Sequence, residues 1–570
     1  MLSGDMEKLY PSAKTLVKEC VASRLHAKDA TLYGFSDEAQ ECAQNYMGWT
    51  DLATNPPYPL HEIQAFADSI IAQGLKSVVL IGQGGSTQAP MTITKYHKPD
   101  SSLVRFRTLD SDSPVRVRGI LSEIDPRTTL FIVSSKSGGT IEPRLALHAV
   151  RDALADQISD EEMVQHLVAI TDPGSKLEQQ ACEEGWAAVF SGEPTVGGRF
   201  SAMSVFGLLP AALVGIDLEE LLEHAVEAEQ RCSEDAIDNP AIGLAAFLYD
   251  NYLQGRNKFS FLTPKRGRVL GLWIEQLVAE SLGKDGQGIL PNIEIDSLLL
   301  TNDPGDRSVI MYQTKNDLWD ERHNFEMSLS CIDPTIPRAA FKIESVYELP
   351  EHFIMWEYAI AMCGYLMKVC PFDQPDVASA KAAVLDILRD GQPEPDYVQD
   401  FVDDVHMGQV EVRQAPCFKD CTDVRASLRA LLASIQPGDF FALNAFLPFT
   451  GEGRREALET IRHGVAASRH TVSCLEVGPR YLHSTGQLQK GGPNCGVFLI
   501  LSADELKDIP LKEEAESLGS LAKAQASGDL VTLASRGRRC VHLHLPDNSG
   551  VTLRALAEVV CDILEELQQA

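Results

Sequence analysis

The stretch "TLFIVSSKSGGTIEP" (residues 129–143) places a run of hydroxyl side chains between a strand pattern and a helix pattern. Its first part is short, continuous and rich in β-branched residues, which is typical of a strand covered on both faces of a sheet. From Thr140 onward, apolar residues recur at helical spacing, and Glu142 and Pro143 suit a first helical turn. The hydroxyls therefore lie between a strand end and a helix N-terminus, where open α/β sheets bind ligands and free N–H groups favour an anion.

The same alternation of strand and helix patterns continues on both sides of this stretch. Strand patterns occupy residues 77–82, 103–109, 129–134, 166–172, 187–191, 258–264, 307–313, 339–346, 439–447, 471–477, 495–501 and 540–545. This alternation predicts an α/β protein with doubly wound, mostly parallel sheets in two αβα lobes. We expect an N-terminal helical segment over 1–40, a first lobe over 41–235 and a second over 236–570. The Pro- and acid-rich linker 390–396 divides the last region, and the sequence leaves open whether the strands beyond it complete the second sheet or form a third lobe.

Bulk composition excludes several classes of protein. The formal net charge of −31 argues against a general nucleic-acid binder and against adhesion to anionic membranes, but not against an anionic small substrate. The N-terminus lacks a signal-peptide pattern, and no run approaches the roughly 20 apolar residues that span a bilayer. The 13 cysteines contain no C-x-x-C pair, which predicts reduced thiols in a cytoplasmic protein.

Two Gly/Ser loops follow strands of the first predicted sheet. "LIGQGGSTQAP" (80–90) offers Ser86 at a glycine-rich turn, and the stretch quoted first offers Ser135, Lys136, Ser137 and Thr140. Either loop alone is more typical of an ordinary turn, but two at the strand ends of one sheet favour a phosphate nest. Neither has the Walker pattern or a full G-x-G-x-x-G fingerprint, so a phosphosugar is favoured over a nucleotide.

Three further charged residues are candidates for the site. Arg199 follows a Gly pair, where an arginine is as often a structural ion-pair partner as a functional group. Glu275 and Glu280 lie about 140° apart on a helix, so they cannot share one face, and one is expected to point to solvent. Glu280, near the turn at Gly283, is the better candidate for a carboxylate facing a cleft.

Five short motifs, taken in order along the chain, resemble the glucose-6-phosphate isomerase family. They are "GQGGST" (82–87), "SSKSGGT" (134–140), "VGGRFS" (196–201), "AESLGK" (279–284) and "PFDQPDVASAK" (371–381). The resemblance covers about 77–381, resumes over 478–501, and is strongest to the isomerase half of bacterial transaldolase–isomerase fusions. The segment before the first lobe is too short for a transaldolase domain.

The resemblance implies sugar isomerase (SIS) lobes that interconvert glucose 6-phosphate and fructose 6-phosphate without a metal or cofactor. It implies that Glu280 is the base and that Arg199 stabilises the intermediate. The residues that it assigns to the substrate phosphate are Ser86, Ser135, Ser137 and Thr140, with Lys136 and Gln374 nearby. Lys381, seven residues after Gln374, matches the family's ring-opening lysine. It also implies a homodimer.

The ring-opening histidine is matched by His483, in "LHSTGQLQKGG" (482–492), which has Gln-Leu and Gly at the family's spacing. In the common isomerases this histidine precedes the lysine, so the order of segments differs here. His323 and His352 are fallbacks, although each is more typical of a surface or core-edge histidine.

The chemistry of aldose–ketose interconversion suits these residue types. A carboxylate can carry one proton between C2 and C1, and a fixed cation stabilises the charge that develops on oxygen. The rivals are a phosphosugar-binding regulator and an isomerase of mannose 6-phosphate or an amino-sugar phosphate. Glu280, Arg199 and Lys381 together favour the glucose-6-phosphate enzyme.

Two further groups invite interpretation as metal sites. His542 and His544 share one face of a strand pattern, but without a third ligand we expect them to face water. Cys417 and Cys421 are interpreted as inert.

Overall fold

The computed structural model describes residues 10–97, 104–294, 305–314, 325–327, 330, 332–376, 384, 387–388, 398–511 and 515–569. The chain divides into two compact units. Unit 1 comprises Met1–Asp110, Glu123–Leu298 and Arg307–Asp373, and unit 2 comprises Ser111–Ser122, Leu299–Asp306 and Gln374–Ala570. The domain boundaries drawn from the sequence stay a prediction.

Short helices precede the first strand of unit 1. They are α1 (Ser12–Lys18), α2 (Val21–His26), α3 (Asp37–Tyr46) and α4 (Leu60–Ala72). Ser36 caps α3 by accepting a hydrogen bond from the backbone N–H of Ala39, which satisfies one of the free donors at a helix start. The cap fixes the first turn of α3, the helix that carries Cys42.

The first sheet is parallel and doubly wound. Its strands and the helices between them along the chain are β1 (Ser77–Gly82), α5 (Gly85–Tyr96), β2 (Arg105–Leu109), α6 (Pro114–Leu121), β3 (Thr129–Ser134), α7 (Ile141–Leu154), α8 (Asp160–Met163), β4 (Leu167–Thr171), α9 (Lys176–Glu184), β5 (Ala188–Ser191) and α10 (Val205–Leu213). Of these, α6 belongs to unit 2. The strand order is β2-β1-β3-β4-β5, and β1 and β3 are buried along their whole length. The order reverses between β1 and β3, which makes their carboxyl ends the topological switch point of the sheet.

A second parallel sheet completes unit 1. Its elements are α11 (Leu218–Cys232), α12 (Pro240–Leu253), β6 (Lys258–Leu262), α13 (Arg268–Leu282), β7 (Leu290–Glu294), β8 (Arg307–Thr314), β9 (Arg338–Ile343) and α14 (Leu349–Met367). The strand order is β7-β6-β8-β9. Helix α13 packs against α5, where Thr92 Oγ1 donates a 3.0 Å hydrogen bond to the carbonyl of Val269. The helices between the two sheets therefore share one hydrophobic core.

Unit 2 has a sheet of its own. Its elements are β10 (Gln399–Val405), β11 (Gly408–Gln414), α15 (Val424–Ala433), β12 (Phe440–Phe446), α16 (Arg454–Arg469), β13 (Val472–Val477), α17 (Gly486–Gly491), β14 (Gly496–Ala503), α18 (Leu518–Ser535), β15 (Arg539–Leu545) and α19 (Gly550–Gln569). The order is β10-β11-β15-β14-β12-β13, with β10 and β11 forming an antiparallel hairpin at one edge. The strands beyond the linker thus form a separate sheet rather than completing the second one.

Short 3₁₀ helices connect several of these elements. They occupy Ala30–Tyr33, Gly48–Asp51, Pro126–Thr128, Val164–His166, Gly198–Phe200, Lys265–Gly267, Val346–Glu348, Pro416–Phe418 and Arg480–His483. The predicted α/β class with mostly parallel sheets is confirmed.

None of the described helices combines the length and the apolar character needed to cross a membrane.

Candidate active site

Ser86 lies where β1 passes into α5. Gly84 adopts a left-handed φ of +55°, which turns the chain so that α5 begins at Gly85. Ser86 is therefore in the first turn of α5, where its N–H donates a 3.3 Å hydrogen bond to the carbonyl of Gln83 and the positive end of the helix dipole favours an anion. Its side chain is buried within unit 1.

The second hydroxyl loop follows β3, the neighbour of β1. Gly82 at the end of β1 pairs in register with Ser134 at the end of β3, so both loops leave the sheet at the switch point. Ser135 Oγ donates a 3.4 Å hydrogen bond to Thr140 Oγ1, and Ser137 Oγ accepts one from the N–H of Gly139 at 3.3 Å. Thr140 is the N-cap of α7 but makes no side-chain capping bond. The three hydroxyls therefore surround the start of a second helix.

Lys136 binds residues in neighbouring loops of the same sheet. Its Nζ lies 2.6 Å from Asp172 Oδ2 and donates hydrogen bonds to the carbonyls of Glu193 at 2.9 Å and Pro194 at 3.3 Å. Burial raises the pKa of Asp172, while the Lys136 hydrogen bond and charge oppose that rise. These contacts show Lys136 tying loops together, and its assignment near a phosphate stays a prediction.

A close backbone contact joins the Ser86 loop to the segment that carries Arg199. A Cβ added at Gly85 would lie 2.1 Å from the carbonyl oxygen of Gly198, so only glycine fits at that position. Gly198 begins the 3₁₀ helix that contains Arg199. The contact fixes Arg199 next to the switch point of the first sheet.

Arg199 and Glu280 form a buried pair. Arg199 Nη1 lies 3.5 Å from Glu280 Oε2, and the side chains are 3% and 9% exposed. Glu280 Oε2 also accepts a 3.1 Å hydrogen bond from Gln276 Nε2, one turn earlier on α13. Arg199 Nε donates a 2.8 Å hydrogen bond to Ser281 Oγ. Both the position of the carboxylate and the orientation of the guanidinium are therefore fixed by α13.

Backbone carbonyls after α14 hold the other side of Arg199. Its Nη2 donates to the carbonyls of Pro371 at 2.6 Å and Asp373 at 2.9 Å. Lys284 Nζ donates to the carbonyls of Cys370 and Asp373 and forms an ion pair with the Asp373 carboxylate. Burial lowers the pKa of Lys284, and the charge of Arg199 lowers it further. We name Cys370–Asp373 the carbonyl segment.

The sequence assigned no role to Gln276, Ser281, Lys284 or the carbonyl segment, although Pro371–Asp373 open the "PFDQPDVASAK" motif. Ser281 and Lys284 stand in the "AESLGK" motif beside Glu280, which was the available signal. The expectation that Glu275 or Glu280 points to solvent is wrong, because each whole residue, backbone included, is only 7% exposed. Helix α13 is covered on nearly every side by the core of unit 1, so opposite faces are both buried.

Gln374 is exposed and His483 ends the 3₁₀ helix Arg480–His483, both in unit 2. Lys381 and His323 lie outside the described residues. His352 Nδ1 lies 3.0 Å from the hydroxyl oxygen of Tyr312, at hydrogen-bond distance. Burial lowers the pKa of His352 to about 4.

The expectation that His542 and His544 face water is wrong. They are 2% and 5% exposed, because β15 is an interior strand of the unit 2 sheet. Ser502 Oγ lies 2.8 Å from His542 Nε2 and 2.8 Å from His544 Nδ1. The two rings are thus held by a hydroxyl within the sheet.

Comparison with known proteins places this arrangement in a family. The family model described as "Phosphoglucose isomerase" matches residues 67–295, which include Ser86, Arg199 and Glu280. A probable glucose-6-phosphate isomerase from Methanococcus maripaludis is 30% identical over 346 residues, 54% of this chain and 78% of that protein. The chain belongs to the phosphoglucose isomerase family.

Other members extend the comparison. Glucose-6-phosphate isomerase from Trichormus variabilis is 34% identical over 282 residues, 45% of this chain and 53% of that protein. The chain therefore spans about half the length of this curated relative. A crystal structure of a glucose-6-phosphate isomerase from Chlamydia trachomatis shares the fold, with a TM-score of 0.50 and 19% identity, over 63% of this chain and 78% of that one.

Proposed function

We propose that this chain is a glucose-6-phosphate isomerase, which interconverts glucose 6-phosphate and fructose 6-phosphate. The observation that carries the proposal is the buried pair of Glu280 and Arg199, 3.5 Å apart, next to the hydroxyl loops of the switch point. Membership of the phosphoglucose isomerase family supports it.

The pair suits proton transfer between adjacent carbons. In the open-chain aldose, the Glu280 carboxylate takes the proton from C2, and the C–H electrons form the C1–C2 double bond of an enediol. The electrons of the C1 carbonyl move to O1, which takes up a proton from solvent. The carboxyl group then returns its proton to C1, the O2 hydroxyl gives its proton to solvent, and the ketone forms. Arg199 supplies positive charge to the oxygen that becomes negative, and its fixed donors need no reorganisation during the reaction.

Phosphate recognition is assigned to the two hydroxyl loops. Ser86, Ser135, Ser137 and Thr140 lie around the starts of α5 and α7, where the positive end of each helix dipole adds to the hydroxyl donors. Gln374, Lys381 and His483 keep the phosphate and ring-opening roles that the family resemblance implies. A homodimer and a cytoplasmic location complete the proposal, and light scattering of the purified chain tests the dimer.

A coupled assay tests the reaction and its base together. Fructose 6-phosphate is supplied, and glucose 6-phosphate is followed through a dehydrogenase that reduces NADP. We expect Glu280→Gln to lose about 10²- to 10⁴-fold in kcat, because the amide cannot accept the C2 proton. Glu275→Gln is the matched control, since Glu275 is equally buried on the same helix, and it should keep the wild-type rate.

The outcomes separate the rivals. A wild-type chain that binds fructose 6-phosphate without turning it over would be a phosphosugar-binding regulator. Turnover of mannose 6-phosphate at a higher kcat/KM than glucose 6-phosphate would assign the other isomerase. Equal loss in both glutamate variants would remove Glu280 from the role of base.

A further inference from the structure

Two cysteines from distant parts of unit 1 meet beside the carbonyl segment. Cys42 comes from α3, and Cys370 is the first residue of the carbonyl segment. Their sulfur atoms and an oxygen of Asp373 all lie within 4.8 Å of one another. Both cysteines are reduced. A disulfide needs about 2 Å between sulfurs, so the two thiols are neighbours that a local movement of the chain could join.

The surroundings of the pair favour thiol exchange. A hydrogen bond from Cys42 lowers the pKa of the Cys370 thiol, and the charge of Lys284 also lowers it, whereas burial and the charge of Asp373 raise it. The same hydrogen bond raises the pKa of Cys42, so Cys370 carries the thiolate character. The ammonium group of Lys284 pairs with the carboxylate of Asp373 and so disfavours the binding of a metal cation between Cys42, Cys370 and Asp373. Cys370 itself is buried, whereas Cys42 and Asp373 are partly exposed, so a small reagent reaches the pair from the side of Cys42.

We propose that Cys42 and Cys370 form a reversible disulfide that moves the carbonyl segment and thereby lowers activity at Glu280. The oxidant is a low-molecular-weight disulfide. The Cys370 thiolate attacks one of its sulfurs and releases one thiolate. Cys42 then loses its proton to solvent and attacks the Cys370 sulfur, which releases the second thiolate. Two protein thiols are oxidised, and one small disulfide is reduced to two thiols.

The coupling to the active site follows from the contacts of the carbonyl segment. Cys42 is held in the middle of a helix, whereas Cys370 follows the end of α14, so closure of the disulfide displaces the carbonyl segment. The carbonyls of Pro371 and Asp373 orient Arg199, and that of Cys370 holds Lys284. Displacement of a catalytic group by about 1 Å can cost on the order of 10²-fold in rate. This step of the proposal rests on the proposed isomerase function.

The test compares reduced and oxidised protein. The full chain is reduced, freed of reductant, and treated with glutathione disulfide in the presence of EDTA. We expect a Cys42–Cys370 linked peptide in a non-reducing peptide map, a loss of about 10²-fold in kcat, and recovery with dithiothreitol. Cys42→Ser should keep the reduced activity and resist the oxidant. Cys182→Ser, which removes an exposed cysteine on α9, is the matched control and should respond like the wild type.

Each failure has its own signature. Absence of the linked peptide, or a linked protein with full activity, overturns the proposal. If Cys42→Ser does not fold, Cys370→Ser takes its place in the same comparison. An inactive reduced wild type means that the proposed function fails. The disulfide proposal is then tested by hydrogen–deuterium exchange of the backbone amides of residues 368–373. A linked peptide with changed exchange in this segment supports the proposal, and a linked peptide with unchanged exchange overturns it.

Discussion

Lys136 stands between two predicted phosphate-binding serines, and its contacts with neighbouring loops predict a structural role. Its ammonium is held by the carboxylate of Asp172 and two carbonyls, at distances of 2.6–3.3 Å. We expect Lys136→Met to lower the free energy of unfolding by about 2 kcal/mol, because a largely buried carboxylate loses its charged donor. The KM for fructose 6-phosphate should change little. Urea unfolding and steady-state kinetics measure the two quantities.

Lys176→Met provides the control for Lys136. Lys176 is exposed at the start of α9, close in sequence to Asp172, and its replacement should change neither stability nor KM. The opposite pattern for Lys136→Met, a large rise in KM at unchanged stability, would assign Lys136 to the phosphate.

Single residues were predictable from the sequence only where a motif carries them. Arg199 and Glu280 stand beside glycines in short, ordered motifs, so both could be named as candidates. The acceptor that orients Arg199 could not be predicted, because it is the backbone carbonyl of Pro371, 172 residues later in the chain. A carbonyl belongs to every residue, so no side-chain pattern marks it. The burial of Glu275 was missed for a related reason, since coverage of α13 on all sides depends on tertiary packing.

At the scale of elements, the contact between the start of α5 and the Arg199 helix has a clear test. In Gly85→Ala the new Cβ would meet the carbonyl of Gly198 at 2.1 Å, and neither backbone can yield cheaply. We expect a loss of stability of about 1–3 kcal/mol and a fall in kcat, because Arg199 moves with Gly198. Thermal unfolding and the isomerase assay measure both effects.

Gly119→Ala is the control for the glycine substitution. Gly119 lies within α6, and a Cβ there meets nothing within 4 Å. The helix should gain up to about 1 kcal/mol, with kcat unchanged. Wild-type stability and kcat in Gly85→Ala would show that the two loops can separate without moving Arg199.

Elements were predictable where burial is uniform. Strands β1 and β3 have the predicted bounds, because continuous apolar runs mark a strand that is covered on both faces. The hairpin of β10 and β11 was missed. Strand β10 is an edge strand with alternating exposed residues and several acidic side chains, which also fits a loop. Strand β7 was missed as well, and Pro291 in its middle weakens the strand pattern.

At the scale of the whole molecule, the grouping of strands into sheets was the least predictable feature. The sequence left open whether the strands beyond residue 396 complete the second sheet. They pair with one another because β15 is flanked by β14 and by β11, a partner from the missed hairpin. Long-range pairing depends on which edges remain available, and that is a property of the assembled chain.

A buried histidine in the same sheet predicts that the free energy of unfolding decreases at acid pH. Burial lowers the pKa of His542 well below its ordinary value, and the neighbouring His544 lowers it further. In the unfolded chain this histidine binds a proton below about pH 6.5, whereas in the folded chain it stays neutral. The unfolded state therefore binds more protons, and stability is lost as the pH falls below 6.5. The largest slope from one such histidine is about 1.4 kcal/mol per pH unit.

Urea unfolding at pH 7.5 and 5.5 measures this loss. We expect the wild type to lose more free energy of unfolding between the two values than His542→Gln, whose amide does not titrate. His61→Gln is the control, because His61 is exposed on α4 and has similar surroundings in both states. The His61→Gln variant should lose as much free energy of unfolding between the two pH values as the wild type. The same pH dependence in the wild type and in His542→Gln would mean that His542 accepts its proton within the folded sheet, with Ser502 Oγ as the acceptor for the charged ring.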